Sequence, residues 1–327
     1  MAVTDESVAV SQFELLVESV RRDTPLIRSF VLSTADGSAL PEIDPGAHLR
    51  VALPDGRDRP YSLVALPELE AAGKWALGVR LEDPGQGGSR YMHGLVPGDR
   101  LRTSVPINNF PLAMDAPAPV LIAGGIGVTP LVSMAARLAR YDKPFALHYA
   151  ARSREHFAFL GELQDICGDR LSLHPDDEPN SALDIPALIA SLPDETPIYV
   201  CGPAPMIDRV KTESAEHGRD PAKLRYELFT PPLADPEGDA AFQVELKSTG
   251  QVFDIPPGKS IIEVLESGGV DLLYDCQRGD CGVCQTVVLE GLPDHRDAVL
   301  SDAERASNKL MQICVSRAKS PRLVLDL

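Results

Sequence analysis

Three hydrophobic patterns succeed one another along the chain. Up to about Leu112, apolar residues come in short alternating runs closed by Gly, Pro or Asp: LIRSFVLSTADG, HLRVALPDG, WALGVRLEDPG and DRLRTSVP. A period of two with regularly spaced turn residues predicts short antiparallel strands, and a series of them predicts a barrel. From about Ala113 to Phe229 the pattern changes. APVLIAGGIGVTPLVSMAARLARY is an apolar run, a glycine turn and a helical pattern, and FALHYAARS and PIYVCGPAPMIDRVKTESAEHG repeat that order or its first half. Such alternation predicts a parallel α/β sheet. The breaker-rich TPPLADPEGDA, residues 230–240, predicts a linker. Beyond it, a hairpin-like FQVELKSTGQVFDIPPG, a helical KSIIEVLESGG and a strand RLVLDL predict a small α+β domain. The expected divisions are therefore 1–112, 113–229, the linker 230–240, and 241–327.

Length agrees, since 327 residues exceed one ordinary core. The apolar fraction of 44% and charged fraction of 24% are those of a soluble globular protein. MAVTDESVAV has neither the basic nor the apolar segment of a signal peptide, and no run approaches the roughly 18 apolar residues of a membrane span. A reducing cytoplasm is the expected setting, where disulfides are rare. The net charge of -17 makes nucleic acid and anionic membranes poor partners. It serves solubility, or presents a negative face to a basic protein.

Three of the six cysteines fall within YDCQRGDCGVC. Cys276, Cys281 and Cys284 have C-x4-C-x2-C spacing, and Cys314 follows alone. Zinc sites pair C-x2-C with a second close pair, absent here although His295 lies on the way. A redox dithiol leaves Cys276 unexplained. The spacing is that of a plant-type [2Fe–2S] cluster with all four thiolates as ligands. Gly279 and Gly282 suit a backbone wrapped closely round it, and Arg278 and Asp280, between the ligands, are expected at the surface. Cys167 is expected to be a small buried hydrophobe.

RPYSL, Arg59 to Leu63, offers a cation for a phosphate, an aromatic face and a hydroxyl. GQGGS, Gly85 to Ser89, stands before the helical RYMHGL and reads as a backbone phosphate cradle or as a plain hairpin turn. GGIGVTP, Gly124 to Pro130, lies between strand and helix. It lacks the dinucleotide fingerprint, but its glycines still allow close approach of a pyrophosphate to a helix start; the plain alternative is a tight strand–helix turn.

With these motifs in this order, the chain resembles, over essentially its whole length, the phthalate dioxygenase reductase family. That family includes vanillate demethylase reductases and belongs to the ferredoxin–NADP reductase-like superfamily. The resemblance implies an antiparallel β-barrel flavin domain, a parallel α/β nucleotide domain and a C-terminal β-grasp ferredoxin domain. It implies FMN bound by Arg59, Tyr61, Ser62 and Leu63, with Gly87, Gly88 and Ser89 at the phosphate. FMN rather than FAD follows from a phosphate ending in that turn, with no aromatic platform for an adenine. Ser62 is expected near the flavin's hydride-accepting nitrogen. The nucleotide falls to Gly125, Ile126, Gly127 and Thr129, to Arg152 and Ser153, and to Cys201, Gly202 and Pro203 of YVCGPAPM, with Cys201 near the nicotinamide. Phe229 of YELF is expected against the flavin ring. Cys201 and Phe229 also have plain packing readings. The family implies NADH rather than NADPH, although no acid follows the second strand to hold a ribose hydroxyl.

Nicotinamide yields two electrons as hydride, whereas a [2Fe–2S] cluster takes one, so a flavin must stand between them. The implied acceptor is a Rieske-type terminal oxygenase. Plant-type clusters near about -400 mV and Rieske centres at about -150 to +300 mV make that transfer downhill. A di-iron or haem monooxygenase as acceptor, or a non-catalytic redox sensor, is the alternative.

Overall fold

The alternating segments close on themselves. In this computed structural model, which describes residues 12–82, 87–229, 238–279 and 281–327, strands β1 (Gln12–Arg22), β2 (Ile27–Thr34), β3 (His48–Ala52), β4 (Asp58–Val64), β5 (Trp75–Arg80) and β6 (Arg100–Ser104) form a closed barrel in the order β1-β2-β5-β4-β3-β6. Leu15, Val17, Phe30, Leu49, Val51, Leu63 and Leu101 point into it and are fully buried. Closure gives every strand two partners and leaves no edge. The N-terminal MAVTDESVAV, Gly85, Asp280 and residues 230–237 of the expected linker lie outside the described residues.

The second pattern forms a five-stranded parallel sheet of β7 (Val120–Gly124), β8 (Ala146–Ala151), β9 (Leu171–Pro175), β10 (Ile198–Cys201) and β11 (Leu224–Glu227), ordered β11-β10-β7-β8-β9. β7 and β10 are buried at every residue, which is why they read as continuous apolar runs. The chain builds outward from β7 through β8 and β9, then returns to the other side of β7 with β10. That reversal makes a crevice beyond the C-terminal ends of β7 and β10, the place where open α/β sheets bind ligands.

Barrel and parallel sheet share one compact unit that ends at Glu227. Their contact is specific. The Ser133 hydroxyl, on helix Val128–Arg140, donates to the Leu63 carbonyl at 2.8 Å and accepts from the Ala65 N–H at 2.8 Å.

A second unit runs from Leu228. It comprises β12 (Phe242–Leu246), β13 (Val252–Ile255), β14 (Gln285–Glu290), β15 (Pro293–Asp294), β16 (Leu310–Gln312), β17 (Arg317–Ala318) and β18 (Arg322–Leu325). The main sheet is ordered β13-β12-β18-β14-β16, with β12 and β18 parallel at its centre, and β15 pairs with β17. Helix Ile261–Ser267 starts with a capping box between Ser260 and Glu263 and lays Ile261, Ile262 and Leu265 on the sheet. This is the expected β-grasp arrangement. Asp239 does not behave as a linker residue. Its carboxylate, 1% exposed, is bound by Arg296 at 2.7 Å and Arg317 at 3.3 Å, so the end of the breaker-rich stretch is fastened to this unit. Among the described residues, no helix is long and apolar enough to cross a membrane.

Candidate functional site

β4 carries Arg59, Tyr61, Ser62 and Leu63. Alternation divides them. Leu63 faces the barrel core, so only its backbone is available to a ligand. Tyr61 packs against the core, and burial pushes its phenol well above the ordinary range. The Arg59 guanidinium, half-buried, donates to the Asp58 carbonyl at 2.7 Å. Against this pair stands the glycine turn. Gly87, at φ 93°, is the N-cap of helix Gly88–Gly94. A Cβ on Gly88 would lie 2.8 Å from Arg59 Cγ and 3.0 Å from the Tyr61 hydroxyl. Cation, phenol and glycine turn therefore come together. Ser89 differs in detail: its hydroxyl accepts from the Glu82 N–H at 3.1 Å and so holds the turn in shape. Ser62 is 5% exposed and lies opposite His48, a buried residue on β3 that no motif marked.

The two nucleotide motifs are neighbours because β7 and β10 are. Ala123 and Cys201 are paired, and the turns that follow interlock. A Cβ on Gly127 would sit 2.3 Å from the Cys201 carbonyl oxygen, and one on Gly124 would sit 2.6 Å from Pro203 Cδ. Gly202 fits under Met206 in the same way. Only hydrogen atoms allow the two backbones this close. Gly125, Ile126 and Gly127 form one turn of tight helix, and the Thr129 hydroxyl donates to the Ile126 carbonyl at 3.0 Å. Thr129 thus closes the turn. Sequence reasoning missed Tyr149: buried on β8, it donates to the Gly125 carbonyl at 3.0 Å and accepts from the Ala158 N–H at 3.1 Å. It missed Glu227 too, buried and paired in register with Cys201. After β8, Arg152 is exposed. The Ser153 hydroxyl is 2.7 Å from His156 Nδ1, and Arg154 is paired with Glu178.

In the second unit Cys276, Cys284 and Cys314 are buried and Cys281 is half-buried. Cys276 is hydrogen-bonded to both Cys281 and Cys314, and Cys314 to Cys284. Those bonds and burial push the Cys281 and Cys314 thiols far above the ordinary range, while the bond from Cys314 lowers Cys284. Four thiols grouped in this way suit the all-cysteine donor set of a [2Fe–2S] cluster. The Arg278 N–H donates to Cys276 Sγ at 3.3 Å, a bond that favours the thiolate.

One expectation here is corrected. Arg278 was expected at the surface between the ligands, yet it is 7% exposed, with its guanidinium carbon 6.0 Å from the centre of the Phe229 ring. Gln277, at φ 52°, bends the loop just before it, and the long side chain that follows packs inward. Phe229, half-buried, falls within the second unit. His295 stands 4.0 Å from the Asp297 carboxylate. Cys167 is 1% exposed, and burial pushes its thiol up to about 11, in keeping with an inert core position.

Residues 244–319 match the 2Fe-2S iron-sulfur cluster binding domain family. The chain is 41% identical over 324 residues to the tetrachlorobenzoquinone reductase of Sphingobium chlorophenolicum, covering 97% of this chain and 99% of that protein. It is 42% identical over 304 residues to a vanillate O-demethylase oxidoreductase of Pseudomonas putida, covering 92% and 95%. Among solved structures, phthalate dioxygenase reductase, a modular protein for electron transfer from pyridine nucleotides to [2Fe-2S], is similar with a TM-score of 0.78 and 34% identity over 97% of this chain and 98% of its own. With its barrel, its switch-point nucleotide turn and its four converging thiols, the chain belongs to the phthalate dioxygenase reductase family of electron-transfer oxidoreductases.

Proposed function

We propose that this protein is the NADH-dependent reductase component of a cytoplasmic oxygenase system, passing electrons through FMN and a [2Fe–2S] cluster to a Rieske-type oxygenase or demethylase of aromatic compounds. The observation that carries this reading is the Ser133 linkage. It fastens the strand bearing Arg59, Tyr61 and Ser62 to the helix that begins at the nucleotide turn. A hydride donor held on one side and its acceptor on the other are thereby kept in fixed register. FMN, when bound, supplies the exchange between two-electron and one-electron chemistry.

The residues have separate tasks. Arg59 and the turn Gly87, Gly88 and Ser89 hold the phosphate, while Tyr61, Ser62 and the Leu63 backbone line the flavin. The turn Gly125, Ile126, Gly127 and Thr129 meets the pyrophosphate, braced by Tyr149, with Gly202 and Pro203 beside it. Arg152 and Ser153 serve the far ribose, and with Arg154 held by Glu178 the site suits NADH better than NADPH. Ser62 and Cys201 bracket the place where the two rings meet. Cys276, Cys281, Cys284 and Cys314 are the cluster ligands.

The Sphingobium relative favours a second reading, direct reduction of a quinone. A Cys314→Ser protein separates the two. For an oxygenase reductase we expect NADH to bleach the flavin as before, with electron delivery to the oxygenase falling at least tenfold. Undiminished oxygenase turnover would sink the cluster route, and quinone reduction that survives the substitution at full rate would favour the second reading.

A further inference from the structure

Gln312 is the one polar side chain in the run LMQICV and is 0% exposed. Its side-chain oxygen lies 3.4 Å from Cys284 Sγ, and its nitrogen lies 3.1 Å from the Gln285 side-chain oxygen. A fully buried amide is costly unless each end is matched, and here one end is matched by a sulfur. With a thiol at Cys284, that sulfur donates to the amide oxygen. A cluster-ligating Cys284 is a thiolate and only accepts, so the amide must present its N–H instead. The two ends of an amide have nearly the same shape, and a half-turn exchanges them within the same space. Gln285, itself an amide and exposed on β14, can turn with it and donate to the freed oxygen.

We infer that Gln312 is a positioning residue for the [2Fe–2S] cluster, donating an N–H···S hydrogen bond to Cys284 with Gln285 as its clamp, and that this bond raises the cluster's reduction potential. The cause is electrostatic. One-electron reduction adds negative charge to the cluster and its sulfurs, and a donor aimed at a ligand sulfur stabilises the reduced form more than the oxidised one. A buried site strengthens the effect, because no water competes for the sulfur.

The inference rests on Cys284 being a ligand. The test is a potentiometric titration of the intact protein, following the reduced cluster by electron paramagnetic resonance and the flavin by its visible spectrum. Iron content is measured alongside. Gln312→Met keeps the volume and removes the donor. The expected result is a full iron complement, an unchanged flavin midpoint, and a tenfold fall in the equilibrium constant for cluster reduction, about 59 mV. Gln285→Ala leaves the donor but loosens it, and should shift the constant two- to threefold in the same direction. In protein labelled with ¹⁵N at glutamine side chains, the reduced cluster should show a nitrogen coupling that Gln312→Met abolishes. An intact cluster with an unchanged or raised midpoint in Gln312→Met would falsify the proposal. If that variant fails to assemble a cluster, Gln285→Ala decides in the same terms. A Cys284→Ser protein that kept the native cluster spectrum would instead overturn the ligand assignment, so the two failures are distinguishable.

Discussion

At the scale of single residues, the sites depend on side chains that are absent as much as on those present. Gly127 is the sharpest case. A Cβ there would lie 2.3 Å from a backbone oxygen, and no rotamer change relieves a backbone clash. Gly127→Ala should force the nucleotide turn away from β10, at a cost of about 1–3 kcal/mol. Flavin content should stay normal while flavin reduction by NADH slows at least tenfold, read by stopped-flow absorbance. A rate near that of the parent protein would mean the turn has slack that the geometry denies. Glycine turns of this kind were legible in the sequence, because a glycine set between an apolar run and a helix marks a sharp turn or a close backbone approach. Gln312, Tyr149 and Arg278 were not. Each is one residue in an ordinary run, and its role comes from a partner dozens of positions away or from a bend one residue earlier.

At the scale of elements, periodicity identified the architecture and local chemistry identified the ends. The barrel, the parallel sheet and the capped helix Ile261–Ser267 all follow from patterns of apolar residues and a Ser-x-x-Glu start. What periodicity does not contain is which elements touch. The Ser133 hydroxyl serves two backbone groups of β4 and the residue after it, and nothing in VTPLVSMAARL distinguishes that serine from a surface one. Ser133→Ala leaves a buried N–H and a buried carbonyl without their partner, for which we expect a loss of about 2 kcal/mol. For a unit of this size that is a fall in melting temperature of about 2–4 °C per kcal/mol. The flavin-bound protein should also lose some rate of reduction by NADH, since the donor and acceptor sites are no longer held in register. A melting temperature within about 1 °C of the parent would show that the linkage is dispensable.

At the scale of the whole molecule, the charge of -17 is the property a partner meets first. Long-range attraction to a basic oxygenase face should make electron delivery fastest at low salt and several-fold slower by about 0.3 M, as screening shortens the reach of the field. Rates independent of ionic strength would assign the charge to solubility alone. The position of β18 has a different consequence, one of timing. It fills the centre of the second sheet between β12 and β14, although it follows every other strand of that sheet in the sequence. At roughly 5–20 residues per second, Cys276 to Cys284 are made seconds before residues 322–325 exist to complete the fold around them. During that interval the loop has no finished core behind it. The cysteine loop thus gains its core only when the second unit is nearly finished, whereas the first unit, which ends at Glu227, is free to fold well before that.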